Sequence, residues 1–132
     1  MSNYKATRWG RTRGPKNIAG PPGTEAVTST GTPSAATDGY STENQKYLHM
    51  LLDTSTVNEN RTVTVYAYSH AFGRWWILDD GGSNLTIAAN NTVAVRAGTD
   101  AVEIKGVDRL FFKINTALAA DDEFFAACST LE

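Results

Sequence analysis

The sequence predicts an all-β fold: an antiparallel β-sandwich, jelly-roll-like, with about eight strands and an extended N-terminal arm before it. Three features predict it. Arg61 to Ser69 alternates Val63, Val65 and Ala67 on one face with Thr62, Thr64, Tyr66 and Tyr68 on the other, the period of two of a half-buried strand. From residue 41 onward, short β-branched and aromatic runs are separated by turn residues at roughly 8–12-residue spacing, with no long amphipathic helix among them. Residues 1–40 hold all four prolines and six of the eleven glycines, with almost nothing large to bury between Thr24 and Thr42.

The chain therefore divides into an arm, 1–40, and a body, 41–132, with Gly39 to Asn44 as the boundary. At 132 residues it holds one domain. The net charge of −2 hides a split: the arm carries five basic and two acidic groups, the body seven basic and twelve acidic. A basic arm is attached to an acidic body. Cys128 is the only cysteine, so no intramolecular disulfide can form, and within FFAAC it reads as a small buried hydrophobe. No run approaches the ~18 apolar residues of a membrane span, so no membrane partner is expected. The basic N-terminus lacks the apolar core of a secretory signal, and Asn60-Arg61-Thr62 and Asn90-Asn91-Thr92 read as turn residues that fit the glycosylation sequon.

Taken in order, MSNYKATRWGRTRGPK combines Tyr4 and Trp9 with Lys5, Arg8, Arg11, Arg13 and Lys16. Such a mixture can bind nucleic acid through phosphates and stacking, or dock on an acidic protein surface with Trp9 as its anchor. The run is short and its glycines build no phosphate loop, which favours protein docking. Ordering an arm costs on the order of 1 kcal/mol per residue. One that buries little of itself would need well over ~1,000 Å² of outside contact, so the arm is expected to lie on other subunits.

In the body, Tyr47 to Asp53 (YLHMLLD) reads as the first strand and Thr54 to Asn60 as a polar loop. Arg61 to Ser69, the reversal His70 to Gly73 and Arg74 to Leu78 make the central hairpin. Trp75 and Trp76 must then point to opposite faces; Trp76 groups with Leu78 and Trp75 with Ile77, both apolar, so phase does not decide between them, and the reading leans to Trp76 inside and Trp75 outside. Asp79 to Asn84 is a turn. Leu85 to Ala89 and Thr92 to Ala97 are expected to form a hairpin about Asn90-Asn91, and Ala101 to Lys105 with Arg109 to Asn115 another about Gly106. Glu123 to Ser129 (EFFAACS) closes the body as a strand.

No catalytic constellation emerges. His49 and His70 have no metal-ligand spacing, Asp79-Asp80-Gly81-Gly82 is a plain turn, no glycine-rich loop leads from strand to helix, and Ser55, Ser69 and Ser83 sit in no nucleophile motif. No enzyme activity, metal or cofactor is expected. The remaining signal is a set of aromatics on a β scaffold, Tyr66, Tyr68 and Trp75, which with Tyr4, Arg8, Trp9, Arg11, Arg13 and Lys16 are the candidate partner-binding residues.

With an arm of this composition before a compact all-β body, VTVYAYSHAFGRWWIL and VDRLFFKI look like sandwich strands of small virion proteins. In layout the chain resembles the structural proteins of tailed bacteriophages, especially capsid cement or decoration proteins. The resemblance implies a non-enzymatic protein on the virion surface, made in the host cytoplasm. It would bind the major capsid protein or other virion subunits and cluster as a homo-oligomer, often a trimer. The alternatives are a tail, connector or minor coat protein whose arm meets the genome, and a carbohydrate-binding module stacking a sugar on Trp75 or Trp76.

Overall fold

The computed structural model describes residues 6–8, 28–55, 60–116 and 122–130, the first of these as backbone only. In chain order its strands are β1 (Ala6–Arg8), β2 (Thr28–Ser29), β3 (Tyr40–Ser41), β4 (Tyr47–Asp53), β5 (Asn60–Ser69), β6 (Arg74–Ile77), β7 (Asp79–Asp80), β8 (Ser83–Asn84), β9 (Thr86–Asn90), β10 (Val93–Arg96), β11 (Val102–Glu103), β12 (Arg109–Ile114) and β13 (Glu123–Ser129). The fold is all-β and mostly antiparallel, with no α-helix among the described residues.

Two sheets carry it. The first runs β1-β13-β4-β10, with β11 also pairing with β4 beyond β10. The second runs β2-β12-β5-β6; β3 shares the β2 edge of β12, and β9 shares the β6 edge of β5. Period-two alternation decides what each sheet buries. Leu48, Met50 and Leu52 of β4 and Phe124, Ala126 and Cys128 of β13 meet Val63, Val65 and Ala67 of β5 and Leu110, Phe112 and Ile114 of β12 in one core. Phe112 and Phe124 bridge the sheets at 5.4 Å between ring centroids. Truncating either to alanine would cost about 3–5 kcal/mol through the cavity left.

The expected strands lie where the alternation places them, but two expected hairpins do not form. β9 pairs with β5 in the second sheet while β10 pairs with β4 in the first, so Asn90-Asn91 turns a corner between sheets. β11 and β12 divide in the same way about Gly106. The reason is room on the long strand: β6 covers only Tyr66 to Ser69 of β5, and β9 completes the same edge from Asn60 to Thr64. The Asp79 to Asn84 turn instead becomes a miniature hairpin of β7 and β8. Gly81 and Gly82, at φ 65° and 96°, supply the two positive dihedrals that such a turn requires.

The segment assigned to the arm also divides. β2 lies parallel to Phe112-Lys113 and β3 antiparallel to Arg109-Leu110, so residues 28–41 form a strap along β12 of the same chain. This portion lies on its own body; of residues 1–27, only β1 falls within the described residues.

Candidate functional site

The two outer faces of the sheets are treated very differently. On the second sheet, Trp76 stands opposite Ala67 and packs toward the core, while Trp75 stands opposite Tyr68 on the outer face. Trp75 lies 5.3 Å from Tyr68 and 6.1 Å from Phe111, and Phe111 lies 6.4 Å from Tyr66, mostly edge to face. Phe72, 71% exposed in the reversal, leans on Trp76 at 5.7 Å.

These are the aromatics expected to meet a partner, and the strap already occupies them in part. Tyr68 is only 7% exposed, and Tyr66 and Trp75 are half-buried. The Trp75 indole N–H donates to the Ala35 carbonyl at 2.9 Å. Arg109 donates to three successive strap carbonyls: Nε to Asp38 at 2.8 Å, and Nη2 to Thr37 at 3.1 Å and Gly39 at 2.7 Å. Lys113 Nζ donates to Thr32 Oγ1 at 2.7 Å, and Pro33 is buried. The Asp38 carboxylate accepts the Ser34 and Ala35 amides, which, with the nearby Arg109 charge, hold its carboxyl below the usual range. Gly39 is required where the strap is closest: at φ +72° it carries no Cβ, and one would fall 2.2 Å from the Leu110 carbonyl oxygen.

On the first sheet, β4 buries Leu48, Met50 and Leu52, so His49 and Leu51 face outward. Leu51 is flanked in register by Phe125 of β13 and Val95 of β10, an apolar row across three strands. Together with His49, Ala97 and Ala127 these side chains line a depression of about 210 Å³. Val93 and Val95 remain 44% and 50% exposed. At one end of the row Asp53 and Glu123 stand opposite each other, giving it an acidic border. Hydrogen bonds from the Ser55 hydroxyl and amide keep the Asp53 carboxyl below its ordinary range.

His49 sits beside the row with both ring nitrogens engaged. The Gly98 amide donates to Nδ1 at 3.2 Å, so the proton is on Nε2, which donates to Ser129 Oγ at 2.7 Å. Burial lowers its pKa, in keeping with a neutral ring. Among the described residues no group of three or more His, Cys, Asp or Glu side chains is placed to hold a metal.

Sequence reasoning singled out the aromatic face and missed the apolar one. The signal was present: YLHMLLD, TVAVRA and EFFAACS are apolar at both phases of the alternation, so each of these strands has two faces to cover. Of the arm residues singled out, Arg8 ends β1 on the β13 edge, while Tyr4, Trp9, Arg11, Arg13 and Lys16 lie outside the described residues. Compared with known proteins, the chain matches no family model, no curated sequence and no solved structure.

Proposed function

We propose that the chain is a non-enzymatic structural protein of a tailed-phage virion, a cement or decoration protein that docks on an assembled shell through the outer face of its first sheet and its basic arm. The observation that carries this reading is Val93 and Val95 of β10, 44% and 50% exposed on the outer face of a sheet whose other face already fills the core. An antiparallel sheet with one face in water ordinarily alternates apolar inward and polar outward; a continuous outward apolar patch marks an interface. Its partners on this reading are the major capsid protein or other virion subunits, including further copies of itself in a trimer. The nested pairing of β4 with β13 and of β5 with β12 supports a jelly-roll-like strand order. The strap over Trp75 leaves a sugar platform on that face with less support.

The arm belongs to the same surface. β1 ends at Arg8 on the edge of the first sheet, and the chain continues from there into Trp9, Arg11, Arg13 and Lys16. The test is co-sedimentation with the assembled shell of the encoding phage. Val95→Asp, on a half-exposed edge position, should keep the wild-type thermal melt and lose shell binding, and Trp9→Ala should weaken binding more than loss of any single arm charge. Full-strength binding by a folded Val95→Asp protein would sink the docking reading. A steep salt dependence with no response to Trp9→Ala would assign the arm to nucleic acid instead.

A further inference from the structure

We propose that His49 is a proton-operated latch: its neutral ring holds the turn 97–101 against β4, and protonation of the ring releases that turn. The inference concerns the free protein and goes beyond shell docking.

The latch is a single contact. Residues 97–100 are exposed and Ala101 is half-buried, and a Cβ added at Gly98 would meet nothing within 4 Å, so packing does little to fix the segment. Its internal hydrogen bonds stay within residues 96–101: Asp100 N–H to the Ala97 carbonyl, Ala101 N–H to that of Gly98, and Arg96 Nε to that of Asp100. Among the described residues, the one hydrogen bond from this turn to another strand runs from Gly98 N–H to His49 Nδ1, at 3.2 Å. An amide N–H can only donate, so that bond exists only while Nδ1 carries no proton. Nε2 already donates to Ser129 Oγ at 2.7 Å. A proton taken up by the ring therefore goes to Nδ1, where it sets two donors against each other and removes the anchor of the turn.

The surroundings do not favour a charged ring in the closed state. From β13 the ring meets Ala127 and the Ser129 hydroxyl, with Glu123 at the far end of that strand, opposite Asp53. The charged groups on the other flanking elements are engaged with one another. Arg96 of β10 pairs with Asp80 at 3.1 Å and with Asp100 of the turn at 3.4 Å, and Glu103 of β11 with Lys105 at 3.5 Å. β4 itself adds Tyr47 and Asp53, and Asp53 is held by Ser55. Burial lowers the His49 pKa in the closed state, while an opened ring returns toward 6.5. Between those values the open state binds a proton that the closed one excludes, so opening rises by about tenfold for each pH unit of acidification. Val95, 50% exposed, and Ala97 run directly into the turn, so the latch sets how the end of β10 is presented. Taken with the docking reading, on which this last step rests, it makes the outer face of the first sheet acid-sensitive.

Hydrogen exchange followed by NMR on the full chain tests it, from about pH 7.5 to about pH 5.5, a range that brackets the ordinary histidine pKa. Each rate is divided by the intrinsic rate of that amide at the same pH. The Gly98 amide should lose protection below pH 6.5 by about tenfold per pH unit, while the amides of β4 keep theirs. His49→Gln, uncharged at every pH, should flatten the Gly98 profile, and His70→Gln, at the other histidine, should leave it as in wild type. Gly98 protection that does not fall with pH in wild type would overturn the latch. So would the same fall in a folded His49→Gln protein, or an equal loss of protection in β4, which is global unfolding. Should His49→Gln fail to fold, the wild-type and His70→Gln profiles decide between these outcomes. No shell enters the experiment, so failure of the latch leaves docking untouched, and failure of docking leaves the latch untouched.

Discussion

Replacing Arg109 by lysine should release the strap while leaving the body folded. In the native chain one guanidinium serves the carbonyls of Thr37, Asp38 and Gly39, at 3.1, 2.8 and 2.7 Å. A planar fork can reach three acceptors from one position; an ammonium is a point charge that keeps one of them in comparable geometry. Hydrogen bonds to a charged group contribute about 1.5–3 kcal/mol each when buried. The site is partly exposed, so the loss of two is discounted to about 2–3 kcal/mol in total. At tenfold per 1.4 kcal/mol this raises the open population of the strap roughly 30- to 140-fold. Hydrogen exchange followed by NMR reads it at the backbone amides of residues 28–42 and at the Trp75 indole N–H. The amides of β4 serve as the reference for global unfolding. Faster exchange in the strap with β4 unchanged is the expected pattern. Equal acceleration in β4, or none in the strap, would mean that Arg109 is not what holds the segment down.

The two adjacent tryptophans should separate by the kind of stability they support. Trp76→Ala, on the core side, should lower global stability in urea by about 2–4 kcal/mol, whereas Trp75→Ala should cost about 1–2 kcal/mol and act chiefly by loosening the strap. Gly39→Ala should destabilise by about 2–4 kcal/mol, because the added Cβ meets the Leu110 carbonyl at a left-handed φ. Gly73→Ala, with a similar φ but open space around it, should cost only about 1–2 kcal/mol in the same urea titration. Burial lowers the His49 pKa from 6.5, so between the lowered value and 6.5 the unfolded chain binds a proton that the fold excludes. Its contribution is therefore complete above pH 6.5 and declines as pH falls below it. Urea titrations at several pH values should show that slope in wild type and a flatter one in His49→Gln.

The strands were legible because their alternation is local. Tyr47 to Asp53 and Glu123 to Ser129 appear with the limits their composition indicates, whereas phase alone does not choose between Trp75 and Trp76, since Ile77 and Leu78 are both apolar, and it is the pairing of Ala67 with Trp76 that decides it. What was not legible was partner choice. Asn90-Asn91 has the composition of a hairpin turn, but whether β9 pairs with β10 or with β5 is set by which edges of β4 and β5 remain open. Those edges are defined by residues tens of positions away. The strap illustrates the same limit from the other side. Its Thr, Ser, Gly and Ala residues bury little of themselves, and a compositional reading places them in a loose arm. Its attachment depends on carbonyl oxygens, which composition does not register, meeting Arg109 and Trp75 from the far end of the chain. The apolar row of Leu51, Val95 and Phe125 needed only the observation that three strands are apolar at both phases and share one sheet.

Edge management explains why the two sides of the molecule differ. On the second sheet the outer edge of β12, RLFFKI, is capped by β2 and β3, and the strap between them contains a buried proline, all means of closing a sheet edge. On the first sheet the β10 edge carries Arg96, paired with Asp80 at 3.1 Å and with Asp100 at 3.4 Å. Such exposed pairs add little stability, but they place charge where a foreign strand would have to dock. The outer edge of β13 meets β1 at Ala127, Cys128 and Ser129, and the side chains of Phe124, Phe125 and Ala126 before it are aromatic or small. Across β4 from it lie the exposed Val93 and Val95 of β10. On the first sheet the exposed Val93 and Val95 are what support the proposed partner contact on its outer face.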